Sequence, residues 1–364
     1  HIFGLCGDTS LPFYDALARL DHGMQHILTR DERSAAYMAD GYARVSGRVG
    51  VCEGPSGGGA TYLIPGIVEA NESSIPVLAI TTDIATTSRG RFALTELDQA
   101  ALYRPLTKWN AMIDRADKLP EAVRQAFRAM TTGRPGAAHL GLPFDVQNGT
   151  VPGDAVWADA GLGVFPSTRV SPEKNAIRRA AGALSAAKLP VFVCGGGVVI
   201  AGAQAELAAV AALLGAPVAT TISGQGSLAE DHPLCLGVVG SNGGTLPTRD
   251  ALSQADLVVF IGCRAGSVTT ERWRHPAPGT PVIHIDADPM VIGANYKTEV
   301  ALVGDAKLAL QGLLNELEFL GKISKKNGSE IVKQAKATKF AAFRELAARD
   351  EVPILPERIV ATLH

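Results

Sequence analysis

At 364 residues, with roughly 100–200 residues to a domain, the chain is long enough for two or three domains. Its 46% hydrophobic and 19% charged residues support sizeable cores and exclude general disorder. The formal net charge of −2 removes the electrostatic case for nucleic acid or an anionic membrane as main partner.

The first stretch alternates short β-rich runs with helical patterns. Strands are expected at Ile2–Leu5, Gln25–Leu28, Val49–Glu53, Val77–Thr82, Thr107–Met112 and Ala137–Leu142. Helices are expected at Pro12–Leu20, Glu32–Val45, Ala60–Ala70 and Leu119–Met130. Near-continuous apolar strands alternating with helices predict a parallel sheet covered on both faces. Gly, Pro, Ala and Asp dominate from Gln147 to Ser171, which reads as a linker. A second α/β unit begins at Pro172, with strands near Pro190–Cys194, Val218–Thr221, Leu257–Ile261 and Val282–Asp286 and a last helix from about Asp305 to Leu320. The fold class is therefore α/β, with two doubly wound parallel-sheet domains at 1–146 and 172–320 joined by the linker 147–171. From Lys322 the chain turns basic, then helical to about Arg349, so 321–350 reads as linker and helix. Residues 351–364 resemble the opening of a third domain.

No apolar run approaches the roughly 18–20 residues that span a bilayer. No secretory leader is visible, although the chain opens abruptly in an apolar run. The five cysteines, at positions 6, 52, 194, 235 and 263, are odd in number and widely spaced, without metal-ligand spacing. Buried, reduced thiols in the cytoplasm are the expectation.

Three segments carry candidate chemistry. Arg30-Asp31-Glu32 sits where a strand ends and a helix begins, a place for helix capping or for an acid in a ligand cleft. Gly54-Pro55-Ser56-Gly57-Gly58 matches the G-x-S-x-G of a hydrolase elbow between a strand and a helix. The partners for a triad are poor, because His275 and His284 precede Asp286 and only His364 follows it. Close backbone approach to a ligand is the better reading of these glycines. Gly195-Gly196-Gly197 lies between a strand and a helix like a phosphate-cradling turn, but Ile200 leaves the dinucleotide fingerprint incomplete. Gly240-Ser241-Asn242-Gly243-Gly244, Arg264 after a strand and Asp286 ending another converge on the same sheet edge. That convergence favours a nucleotide-type site, with an emptied site kept for packing as the rival.

Together these pieces resemble the thiamine-diphosphate enzymes of the acetolactate synthase superfamily, in the family's order over nearly the whole chain. FGLCGDTSLPFYDAL resembles its opening strand–turn–helix, and ILTRDERSAAYMADGYARVSGRVGVCEGPSGGGATYLIPGI its pyrimidine-domain core. ALTELDQAALYRPLTKW and RPGAAHLGLPFDV resemble the end of that domain. PVFVCGGGVVIAGA, APVATTISGQGSLAEDHPLCLGVVG and VIHIDADPMVIGANY resemble the central domain.

The resemblance implies that Glu32 hydrogen-bonds the cofactor's aminopyrimidine ring, donating to a ring nitrogen and favouring the imino tautomer that removes the thiazolium C2 proton. Burial would keep that proton available near neutral pH. It implies that Cys6, Gly7, Ser56, Gly57, Gly58 and Gly59 border this cofactor. It implies that Gly195, Gly196, Gly197, Gly240, Asn242, Gly243, Arg264 and Asp286 face FAD or an ADP-type nucleotide. The implied reaction is decarboxylation of a 2-oxo acid with carboligation, by a homodimer or homotetramer. A related decarboxylase or acyltransferase, or a catalytically incomplete nucleotide-binding or subunit-pairing protein, are the alternatives. Two departures border the reaction centre: Ser56-Gly57-Gly58-Gly59 followed by Tyr62 replaces the common Ser-Gly-Pro-Gly followed by Asn, and Ala93-Leu94-Thr95-Glu96 replaces Ala-Phe-Gln-Glu. No metal ligand is expected in these 364 residues, since the family's Mg2+ and diphosphate are held by a third domain; the chain alone is expected to be inactive.

Overall fold

The computed structural model describes residues 1–321 and 324–363. Lys322, where the basic turn was expected, and the terminal His364 lie outside the described residues. The chain divides into two units, 1–168 and 169–364.

The first unit holds β1 (Ile2–Gly4), β2 (His26–Leu28), β3 (Gly50–Gly54), β4 (Val77–Asp83), β5 (Trp109–Met112) and β6 (Ala138–Pro143). All pairs are parallel, in the order β2-β1-β3-β4-β6-β5. These are the six expected strands, and β4 is buried along its whole length.

Small residues set how closely the helices lie on this sheet. Helix Glu32–Ser46 turns Ala35, Ala36, Ala39 and Ala43 inward at helical spacing. A Cβ on Gly50 of β3 would sit 2.1 Å from the Ala39 carbonyl oxygen, so only glycine admits the helix this near. Leu78, Ile80 and Leu140 meet Ala122, Ala126 and Met130 of helix Leu119–Thr131 in a separate apolar cluster. The helix expected at Ala60–Ala70 is two, Gly58–Tyr62 and Ile64–Glu72. Pro65 has no N–H for the carbonyl four residues back and its ring crowds that carbonyl, so the run breaks there.

The first unit also takes up most of the expected linker. Arg48 bridges to Val164 and Thr132 to Thr168, and the Arg124 guanidinium stacks 4.0 Å from the Trp157 ring centre.

The second unit holds β7 (Pro190–Cys194), β8 (Val218–Thr220), β9 (Cys235–Val238), β10 (Leu257–Ile261), β11 (Val282–Asp286) and β12 (Val300–Val303). They form a second parallel sheet ordered β12-β11-β10-β7-β8-β9. The edge strands β9 and β12 were not expected. Each is four residues long; β9 carries Gly237 at φ +94°, and β12 alternates buried with exposed positions. Helices Lys174–Ala186, Gln204–Leu214 and Ala306–Leu320 share one core cluster, while Leu246–Ser253 and Gly328–Ala347 contribute to another. Helix Pro356–Leu363 buries none of its residues, and Arg358 ties it to Asp350 at 2.7 Å. Among the described residues no helix is long and apolar enough to cross a membrane.

Candidate functional site

In an open parallel sheet, ligands bind outside the carboxyl ends of the strands where the strand order reverses. In the first unit the chain steps from β1 to β2 on one side and then to β3 on the other, so the crevice lies between the ends of β1 and β3. Three predicted segments meet at this edge: Cys6-Gly7 after β1, Arg30-Asp31-Glu32 after β2, and Ser56 to Gly59 after β3.

The glycines are needed for close approach. A Cβ on Gly7 would lie 2.5 Å from the Pro55 Cβ, and one on Gly59 would lie 2.4 Å from the Pro55 Cδ and 3.2 Å from the Glu32 Oε1. Gly57 holds φ +68° against Thr95, itself at φ +69°. Gly58 has only the Tyr62 ring at 4.0 Å and so keeps open space beside it.

Asp31 takes the capping role that sequence left open between it and Glu32. Asp31 is the cap: its carboxylate accepts from the Arg33 backbone N–H at 2.8 Å and from the Arg33 guanidinium at 2.6 Å, which holds it down at about pKa 2. Glu32, the first helical residue, is only 8% exposed. Among the described residues its carboxylate makes no hydrogen bond and no ion pair. A carboxylate that makes no hydrogen bond, on a residue held to 8% exposure at the crevice beside a glycine, fits a ring-nitrogen partner such as an aminopyrimidine.

One residue of the site escaped the sequence reading. Glu53 of β3 is fully buried. Ser10 Oγ donates to its Oε1 and Tyr14 Oη to its Oε2, each at 2.6 Å. Burial pushes this carboxyl up to about 7, against the pull of the two donors, and the Glu32 charge adds to the rise. The available signal was an acid inside the apolar run VGVCEG, at the carboxyl end of a strand.

On β6, His139 Nε2 lies 2.6 Å from Thr81 Oγ1 and Nδ1 lies 2.8 Å from Asn110 Oδ1. Burial lowers this imidazole to about pKa 3, which keeps it neutral. Ser56 pairs with Thr9 and Thr95, and among the described residues no histidine bonds to it, so the hydrolase pattern has no base. Cys6 is exposed on its loop, unlike the expected buried thiol, while the other four cysteines are buried and all five are free.

In the second unit the strand order reverses between β7 and β10. Gly195 and Gly197 end up packed on the other loop at this point: their Cβ atoms would lie 2.1 Å from the Gly262 oxygen and 2.6 Å from its Cα. Gly196 has more room, with Ser223 at 3.4 Å. Gly240, at φ +101°, lies against the Val268 carbonyl; Gly243, at φ +108°, and the exposed Asn242 follow. Asn295 donates to the Arg264 carbonyl at 3.0 Å, and Asp286 Oδ1 accepts from the Asp288 N–H at 2.9 Å. Chain-to-chain packing thus accounts for Gly195 and Gly197, and these two glycines make no open phosphate cradle. Among the described residues no group of three or more His, Cys, Asp or Glu is placed to hold a metal ion.

Residues 1–102 match the family model described as the thiamine pyrophosphate enzyme N-terminal TPP binding domain, and residues 177–313 that of the central domain. The chain is 41% identical over its whole length to a probable acetolactate synthase large subunit of Methanocaldococcus jannaschii, covering 60% of that protein. It is 39% identical to the corresponding protein of Methanococcus aeolicus, with 61% covered. It is 37% identical to the acetolactate synthase large subunit of Corynebacterium glutamicum, with 57% covered. The chain therefore spans about three-fifths of the length of these relatives. It carries the N-terminal cofactor-binding domain and the central domain of the thiamine pyrophosphate enzymes, and it belongs to that family.

Proposed function

We propose that this chain provides the pyrimidine side of the active site and the central domain of a thiamine-diphosphate-dependent, acetolactate-synthase-like enzyme. Its reaction is the decarboxylation of a 2-oxo acid with carboligation to an acceptor. The observation that carries this reading is Glu32, a largely buried residue whose carboxylate makes no hydrogen bond at the crevice while Asp31 does the capping. Thiamine diphosphate, when bound, supplies an electron sink for the carbanion left by loss of carbon dioxide. Glu32 would hydrogen-bond the ring nitrogen, and Gly58, with open space beside it, would let backbone approach the ring closely. Cys6 and Gly7 form the opposite lip.

The Mg2+ and diphosphate are assigned to residues outside these 364, in keeping with the greater length of the relatives. FAD or an ADP-type nucleotide is assigned to the central unit, and the working form to a cytoplasmic homodimer or homotetramer. The 364 residues alone are expected to bind thiamine diphosphate weakly and to lack activity, which calorimetry with Mg2+ present checks directly.

Thr95 favours a second reading of the acceptor. It fills the position beside Gly57 and Ser56, where its family counterpart is a glutamine, so a related 2-oxo acid decarboxylase or acyltransferase stands as the alternative. Supplying 2-oxo acids to the enzyme with thiamine diphosphate and Mg2+ and identifying the products separates the two. No cofactor-dependent release of carbon dioxide from any 2-oxo acid would overturn both.

A further inference from the structure

Glu53 lies behind the cleft at the start of an unbroken line of hydroxyl groups. Ser10 Oγ, which donates to Glu53, lies 3.0 Å from Thr82 Oγ1. Thr82 Oγ1 lies 2.8 Å from Thr9 Oγ1, which lies 3.2 Å from Ser56 Oγ. Ser56 Oγ lies 2.6 Å from Thr95 Oγ1, whose hydroxyl reaches the Leu94 carbonyl. The line begins at a carboxyl with no solvent exposure and ends on exposed Thr95, at the glycine loop beside Glu32.

Each hydroxyl has one hydrogen, and that fixes what the line can do. With Glu53 ionised, Ser10 donates to the carboxylate, Thr82 donates to Ser10, and Thr9 donates inward to Thr82. Ser56 then receives nothing from Thr9. With Glu53 protonated on Oε1, the acid donates to Ser10 and Ser10, Thr82 and Thr9 all reverse, so the Thr9 hydrogen turns outward to Ser56, while Ser56 donates to Thr95 and Thr95 to the Leu94 carbonyl in both states. The Ser56 backbone N–H donates to Thr9 in both states, at 3.0 Å, and holds the junction in place.

We propose that Glu53 is a positioning residue of this site, whose uptake and release of a solvent proton reverses the Ser10, Thr82 and Thr9 hydroxyls and so makes or withdraws a hydrogen bond to Ser56 at the glycine loop beside Glu32. The functional part rests on reading this cleft as the pyrimidine site; the reversal itself does not. The titratable groups facing Glu53 are Tyr14, from the helix after β1; Glu32, from the helix after β2; Cys6, from the loop after β1; and Cys52, its neighbour on β3. His26 meets the ring of Tyr14 edge-on at 4.7 Å. Among the described residues no cation pairs with Glu53, so its charge is compensated by the two hydroxyl donors alone.

The test uses the 364-residue chain with glycine-selective 15N labelling and no cofactor, so that it reads the switch whether or not the proposed reaction holds. The amide resonances of Gly57, Gly58 and Gly59 are followed from pH 5 to pH 9. A common midpoint near 7 is expected in the wild type. Thr82→Val cuts the line without touching the loop and is expected to abolish that titration, while 13C-carboxyl labelling still shows Glu53 titrating. Glu53→Gln is expected to abolish both signals. Loop titration that persists unchanged in either variant, or a wild type with no midpoint between pH 6 and 8, overturns the proposal. If Thr82→Val does not fold, Glu53→Gln decides alone. Failure of Glu32 to matter in turnover, with the loop titration intact, would count against the reaction and leave the switch standing.

Discussion

Tyr14 and Glu53 meet at 2.6 Å across a gap that Gly4 leaves in β1. A Cβ on Gly4 would lie 2.6 Å from the Tyr14 hydroxyl and 3.0 Å from Glu53 Oε2. Gly4→Ala is therefore expected to destabilise the first unit by about 1–3 kcal/mol, the usual cost of overpacking. Tyr14→Phe removes the closest obstructing atom, so Gly4→Ala made in that background should cost less. Urea unfolding of the four proteins measures the difference, and additive effects would show that the gap is not what Gly4 provides.

Stability should depend on pH through Glu53 with a definite sign. Its folded-state carboxyl is raised to about 7 from an ordinary 4.5. Between those values the folded chain holds a proton that the unfolded chain has released. Stability from this group is thus present in full below pH 4.5 and is lost as pH rises through 7, by at most about 3 kcal/mol. Glu53→Gln mimics the protonated acid and removes this dependence. Unfolding midpoints at pH 5 and pH 8 should converge on or favour the variant at the higher pH; parallel profiles would sink the assignment.

How much of this was legible differs between scaffold and site. The parallel strands announced themselves because each is an apolar run ended by glycine or a polar residue, as in VFVC before Gly195. β9 and β12 were missed although each is a short apolar run, CLGV and VALV before Gly304: four residues are few to set against the neighbouring loops, and Gly237 interrupts the first of them. Glu32 was visible by its place at a helix start, but only the geometry shows that Asp31 takes the capping role. The hydroxyl line was out of reach, since Thr9, Ser56, Thr82 and Thr95 are ordinary residues until four separate segments bring them together.

Glu32→Gln tests the catalytic role proposed for this residue. The amide keeps the shape but cannot deliver a carboxylic proton to a ring nitrogen, and general acid–base contributions are about 10²–10⁴-fold. Turnover should fall by that order with saturating thiamine diphosphate, while the unfolding midpoint stays close to wild type, because Glu32 makes no hydrogen bond that the fold uses. Unchanged turnover would remove Glu32 from the mechanism.

The central unit sets packing against ligand binding, and two substitutions separate them. Gly197→Ala places a methyl 2.6 Å from the Gly262 Cα, so it should lower stability by about 1–3 kcal/mol whether or not a nucleotide is present. Asp286→Asn does not change the loop's volume. It removes the charge of a carboxylate that accepts from the Asp288 N–H and can accept from a ribose or ribityl hydroxyl, so its part in ligand binding is read as the change in the ligand-induced shift, measured from the variant's own baseline. A ligand that binds the folded chain alone at about 100 times its dissociation constant raises stability by about 2.7 kcal/mol. Melting curves of the wild type with FAD, ADP or coenzyme A should therefore shift upward for the right ligand. The shift should shrink in Asp286→Asn and persist in Gly197→Ala from a lower baseline, and a bound flavin would also colour the purified protein yellow. A colourless protein whose melting point ignores all three ligands, with Gly197→Ala still destabilised, would leave Gly195, Gly197 and Gly262 with packing as their only role.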